Sequence, residues 1–248
     1  MAIIGIIGGS GLDNPDFFSN PRDEKVSTVF GKPSSDLKRG VIADREVILL
    51  ARHGREHTIP PTQVNYRANI KALKDAGCTC IIATTAVGSL REEINRGDLV
   101  IIDQFIDFTK QRKMTFFESF EPHNPTHVTM ADPYDSRIRK ILIDECRALK
   151  YPFHEKGTVV TIEGPRFSTR AESHMFRSWG ADIINMSIAT ETILANEAGV
   201  PYAAVAMSTD YDSWRTGEEP VTWEAVLKVF AENAARVTTL LKKTIPKI

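Results

Sequence analysis

Along this chain, short apolar runs alternate with stretches whose apolar positions recur every three to four residues. The runs at 1–7, 47–50, 78–83, 98–105, 157–162, 181–186 and from 200 onward read as strands buried on both faces of a sheet. Between them, 64–76, 134–150, 190–198 and 223–241 carry the spacing of amphipathic helices, the last on Val226, Phe230, Ala234, Val237 and Leu241. Local signals fit those boundaries. Gly77 and Gly199 stand where helices stop, Thr222 where one starts, and Thr169 with Glu172 has the spacing of a capping box opening a further helix. Turn residues between 25 and 54 break up β-prone segments and predict antiparallel hairpins. Together these features predict one α/β domain, residues 1–248, with a mixed central β-sheet flanked by helices. Residues 110–132 have no period, and a segment of that length is expected to be functional or disordered.

Composition narrows the function classes. A formal charge of -1 supplies no basic field for nucleic acid. No apolar run approaches the roughly 20 residues that span a bilayer, and the N-terminus lacks a signal sequence, so a cytoplasmic protein is expected. The 3 cysteines, Cys78, Cys80 and Cys146, are an odd number in apolar elements, which argues against a disulfide framework. No Cys/His set completes a metal site around Cys78 and Cys80.

Candidate chemistry gathers at the ends of the apolar runs, where open α/β sheets place ligands. Asp210 and Asp212 follow the run that starts at Val200. Residues two apart in an extended chain point the same way, so both acids would face one pocket and mutual repulsion would raise one pKa. The plain alternative is a surface turn with solvated aspartates. Gly8-Gly9-Ser10-Gly11 after the first strand could cradle an anion or simply turn the chain. Arg52, His53, Arg55 and His57 follow another strand, and a guanidinium there suits phosphate; a solvated basic loop is the alternative. Thr84, Thr85, Ala86 and Gly88 add hydroxyls and small residues at a third strand end. Phe167 lies between a strand and a helix, as a core residue or as a flat surface for a base. His123 and His127 lie in the aperiodic segment, where a histidine is ordinarily polar surface.

Taken in order, Gly8-Gly9-Ser10-Gly11-Leu12, Arg52-His53-Gly54, Thr85-Ala86, Glu163-Gly164-Pro165-Arg166-Phe167, Asn185-Met186-Ser187 and Thr209-Asp210-Tyr211-Asp212 resemble the trimeric purine nucleoside phosphorylases. The resemblance is greatest to the branch that cleaves 5′-methylthioadenosine, and it runs over nearly the whole chain. It implies reversible phosphorolysis, in which phosphate attacks C1′ and the purine leaves. It also implies that inorganic phosphate is a co-substrate and that no cofactor or metal takes part. By the same resemblance Ser10, Arg52, His53, Thr85, Ala86 and Ser187 would bind phosphate. Phe167, Ser168, Met186 and Thr209 would contact the nucleoside, Asp210 would meet purine N7, and Asp212 would lie near the exocyclic amine. Trp223 and Val226 would line the 5′ pocket. His127 would be lent to a neighbour's 5′ pocket, implying a homotrimer or a dimer of trimers. Ser187 stands where the family usually has threonine, and Ala189-Thr190-Glu191 replaces the usual Val-Pro-Glu.

Overall fold

The computed structural model describes residues 2–8, 18–217 and 223–248, without the side chains of 223–228 and 230–232. Gly9, Ser10, Gly11, Leu12 and Thr222 lie outside the described residues. The chain folds as a single-domain α/β structure on a mixed sheet. Its spine runs β2 (Ser19–Glu24), β3 (Leu37–Ile42), β4 (Arg45–Ala51), β1 (Ile3–Gly8), β5 (Cys78–Ser89), β10 (Ile183–Asn185), β9 (Thr158–Ile162) and β7 (Gln104–Phe108). A second arm leaves β5 through β11 (Tyr202–Tyr211) to β6 (Leu99–Ile101) and β8 (Phe153–His154).

Within the span expected to form hairpins, β3 and β4 pair antiparallel, and β2, which lies just before that span, pairs antiparallel with β3. Ala43 and Asp44 make the β3–β4 turn at φ of 46° and 65°, the left-handed backbone that a two-residue hairpin loop requires. Two sequence expectations change. The run at 98–105 divides into β6 and β7 because its halves join different arms, and the Asp103 carboxylate at the break accepts the Gly157 N–H at 2.9 Å. Strand β5 also runs on to Ser89 rather than stopping at Ala83. Its far end gains two partners, β11 in parallel and β10 antiparallel, so Thr84 and Thr85 lie within a strand.

Five helices among the described residues cover the sheet: α1 (Tyr66–Asp75), α2 (Ser136–Ala148), α3 (Arg170–Ser178), α4 (Ile188–Glu197) and α5 (Trp223–Thr244). Thr169 and Glu172 form the predicted capping box on α3. Ile138, Leu142 and Cys146 of α2 join Val237 and Leu241 of α5 in one apolar layer, while Leu73 of α1 and Leu194 of α4 lie in another. A register shift near Thr79 lets Cys78 and Cys80 enter opposite layers, so the two thiols do not share a face. Strands β4, β5, β9, β10 and β11 send residues from their carboxyl ends into one cavity.

Candidate active site

The cavity measures about 150 Å³ and joins Arg52, His53, Thr85, Ala86, Phe167, Ser168, Met186, Ser187, Thr209, Asp210 and Asp212, all singled out from the sequence, together with His57 and Gly88. They come from segments up to 160 residues apart, brought together where the parallel strands β4, β5 and β11 end and where β10 meets the end of β5 antiparallel. Ser10 lies outside the described residues, as do the side chains of Trp223 and Val226. His127 is exposed and does not line the cavity of its own chain.

One side of the cavity is built for an anion. Arg52 is 1% exposed and Glu191 is fully buried. Nε of Arg52 donates to Oε1 of Glu191 at 2.5 Å, Nη2 to Oε2 at 2.9 Å, and Nη1 to the Thr84 carbonyl at 2.9 Å. Tyr202 donates a further hydrogen bond to Oε2 at 2.7 Å. Burial opposes the charge on Arg52, but Glu191 more than offsets it and raises the guanidinium pKa. The sequence suggested a bidentate grip on phosphate; that edge of the fork is taken by Glu191 instead. Of five guanidinium N–H groups, these bonds engage three, and the other two have no partner among the described residues. Ser187 caps α4 without spending its hydroxyl on the helix, so the hydroxyl and the positive end of the helix dipole are both available. Asn185 holds the neighbourhood in place. It donates to Thr85 Oγ1 at 3.2 Å and accepts from Thr161 Oγ1 at 2.8 Å and from the Ser187 N–H at 3.4 Å.

The other side carries the acids. Burial, and then the charge of Asp212, push the Asp210 carboxyl up to about 6, against a 2.7 Å hydrogen bond donated by Thr209. Asp212 is also raised, chiefly by burial and against hydrogen bonds from Ser168 and Ser173. Repulsion between the two acids therefore acts as predicted, but desolvation is the larger cause. Gly88 makes the arrangement possible: a Cβ there would lie 3.1 Å from Oδ2 of Asp210 and 3.1 Å from Ile184. Phe167 is 44% exposed and lines the cavity, so it is not a core residue.

Several contributors carry no local sequence signal. Arg112, from the aperiodic segment, has a side chain only 2% exposed. It donates to Tyr66 Oη at 3.0 Å and to the Glu163 carbonyl at 2.8 Å, and forms an ion pair with the Glu163 carboxylate at 3.3 Å. The single hydroxyl proton of Tyr66 is shared between the carbonyls of Pro61 at 3.2 Å and Met186 at 3.4 Å, so one guanidinium braces two stretches of the cavity wall. His57, by contrast, is marked by its strand-end position, and it lines the cavity at φ 54°, with its ring centroid 4.6 Å from that of His53. Among the described residues there is no cluster of three His, Cys, Asp or Glu side chains arranged to hold a metal ion.

Anion-binding groups, a buried carboxyl of raised pKa and an aromatic side chain lining one cavity suit transfer of a glycosyl group from a base to an oxyanion. Comparison with known proteins agrees. Residues 3–246 match the Phosphorylase superfamily. This chain belongs to that superfamily. It is 54% identical over 248 residues to the S-methyl-5′-thioadenosine phosphorylase of Xenopus tropicalis, covering 99% of this chain and 88% of the relative. It is 51% identical to the enzyme of the same name from Thermofilum pendens, covering 99% of this chain and 92% of the relative. The methylthioadenosine phosphorylase of Schistosoma mansoni in complex with adenine superposes with a TM-score of 0.94 at 42% identity, over 100% of this chain and 92% of that one. A variant of that Schistosoma phosphorylase was solved with methylthioadenosine bound, and it superposes with a TM-score of 0.93. As in those phosphorylases, the fold is a mixed sheet with helices on both sides. No helix among the described residues is long and apolar enough to cross a membrane.

Proposed function

We propose that the protein catalyses the phosphorolysis of 5′-methylthioadenosine to adenine and 5-methylthioribose 1-phosphate. The observation that carries the reading is the convergence in one cavity of Arg52, Ser187 and the Asp210 carboxyl. The names of the relatives support the choice of nucleoside.

The chemistry follows from where charge develops. As the N-glycosidic bond breaks, C1′ becomes electron-poor and the purine gains the bonding electrons. Phosphate held by Arg52, His53, Thr85, Ala86 and Ser187 lies against C1′, supplies the nucleophilic oxygen and stabilises the positive sugar. Asp210, whose pKa burial raises to about 6 so that a fraction of the enzyme holds the proton near neutral pH, gives that proton to N7, so that neutral adenine leaves. Asp212 accepts from the exocyclic amine, held in line by the Ser168 hydroxyl. Phe167 stacks on the base and Met186 packs against the ribose. Ser10, Thr209, Trp223 and Val226 complete the nucleoside and phosphate contacts in this reading. Inorganic phosphate is the co-substrate, and no cofactor or metal is required.

His127 is exposed in the single chain and serves the 5′ pocket of a neighbour, which makes the enzyme a homotrimer or a dimer of trimers. Three free, buried cysteines suit a reducing compartment, and we read the protein as cytoplasmic.

A nucleoside panel tests the assignment. A carboxylate accepts from a 6-amino group and repels a 6-oxo group, so kcat/KM for methylthioadenosine and adenosine should exceed that for inosine by about 100-fold or more. The order of the first two reports the 5′ pocket. Adenosine is the second reading for the substrate, because a Schistosoma relative is described as an adenosine/methylthioadenosine phosphorylase. A preference for inosine would exclude Asp212 from recognition of a 6-amino group.

A further inference from the structure

The loop after β4 fixes the chemical character of His53 as well as its position. Its carbonyl accepts the Ile59 N–H at 3.0 Å, and its ring Nδ1 lies 2.8 Å from the Ile59 carbonyl oxygen. A carbonyl oxygen can only accept, so the ring proton belongs on Nδ1. Burial and the charge of Arg52 push the imidazole pKa down to about 4, with His57 and Arg112 acting in the same direction, so the ring stays neutral near pH 7. A neutral ring protonated at Nδ1 has one nitrogen left for a ligand. That nitrogen, Nε2, takes no partner among the described residues and can only accept.

Its neighbours on this side of the cavity behave differently. Arg52 only donates, the Thr85 hydroxyl already donates to the Ala86 carbonyl and accepts from Asn185, and the Ser187 hydroxyl can rotate to do either. A fixed acceptor beside an oxyanion site repels any bare oxygen and attracts an oxygen that carries hydrogen. Hydrogenphosphate and hydrogenarsenate each carry one such oxygen at neutral pH; sulfate carries none.

We propose that His53 Nε2 accepts the P–OH hydrogen of the bound phosphate and so selects hydrogen-bearing oxyanions over sulfate. This rests on the phosphorolysis reading and adds a specificity determinant to it. Pinning the P–OH at His53 also leaves a bare phosphate oxygen to face the sugar. That oxygen forms the new bond to C1′, the C1′–N9 electron pair passes to the purine, and the P–OH proton stays on the phosphate.

The test compares phosphate and sulfate binding to the nucleoside-free enzyme by calorimetry, alongside phosphate-dependent adenine release with sulfate as competitor. Wild-type protein should bind phosphate at least about tenfold more tightly than sulfate, the scale of one hydrogen bond to a charged group. His53→Asn keeps a donor for the Ile59 carbonyl and removes the acceptor at the Nε2 position. Its phosphate-to-sulfate preference should fall at least about fivefold, mostly through weaker phosphate binding. Equal affinities in the wild type, or an unchanged ratio in His53→Asn, would overturn the inference and leave phosphorolysis standing. Failure of phosphate to drive adenine release would overturn the phosphorolysis reading instead, and the binding ratio would still be measured without turnover.

Discussion

Asp210→Asn should lower kcat/KM for methylthioadenosine by about 100-fold to 10,000-fold, the span general-acid catalysis contributes, while making the protein more stable at neutral pH. The amide keeps the shape of the carboxyl and the hydrogen-bond capacity facing Thr209, but it has no proton to give to N7. The gain in stability follows from the same burial. The Asp210 pKa rises from 3.8 to about 6 on folding, so the native state holds that proton more tightly than the unfolded chain. The resulting stabilisation is complete below the unfolded pKa and is lost as pH rises through about 6. Above that, wild-type protein carries a penalty of about 2 to 3 kcal/mol for an ionised, buried acid, at roughly 1.4 kcal/mol per unit. The amide does not carry it. Two measurements therefore check one claim. Wild-type kcat/KM should show a limb falling as pH rises through about 6, absent in Asp210→Asn, and the Tm difference between the two proteins should grow across the same range. A variant with near-normal kcat would remove Asp210 from the chemistry; a variant less stable than wild type at pH 8 would contradict the assigned cause of the shift.

Glu191→Ala should cost about 3 to 5 kcal/mol of folding stability, because it strands the Arg52 guanidinium in a site where neither partner meets water. Tyr202 loses its acceptor at the same time. The diagnostic sign is the response to anions. In wild type, Glu191 already neutralises Arg52, so added phosphate brings only its binding energy. In the variant, phosphate also relieves an uncompensated buried charge. The phosphate-induced rise in Tm should therefore be larger in Glu191→Ala than in wild type, and replacing Arg52 as well, in an Arg52→Met/Glu191→Leu double variant, should recover much of the lost stability. Wild-type stability in Glu191→Ala would show that the pair is not what holds Arg52 in place.

The contrast between these two acids explains what is legible in the sequence. Asp210 and Asp212 end a continuous apolar run, and a buried strand with two acids at its carboxyl end is a local pattern, visible without knowing any partner. Arg52 is visible for the same reason at the end of β4. Glu191 is not, because it lies within helix α4 and meets Arg52 across 139 positions of sequence. Nothing near Glu191 distinguishes it from a solvated helical glutamate. Arg112 is harder still: it comes from a segment with no period, and its burial depends on Tyr66 and Glu163, which belong to other elements. Strand ends depart from expectation where pairing overrides local pattern. Thr84 and Thr85 look like a terminus after an apolar run, yet β10 and β11 draw β5 on to Ser89. Adjacency in sequence also misleads on the cause of the Asp210 shift: it suggests repulsion, and only the packed structure reveals how little water reaches the carboxyl. His127 can be singled out only through resemblance, since a single chain leaves it on the surface.

Phosphate is the group that replaces the purine at C1′ in this mechanism, and every assigned role depends on that exchange. Phosphorus NMR of the enzyme with methylthioadenosine and phosphate tests this directly, with adenine measured in the same sample. One pentose 1-phosphate should form for each adenine released, and release should stop when phosphate is withheld. Adenine appearing at the same rate without phosphate, beside a free sugar, would contradict the mechanism.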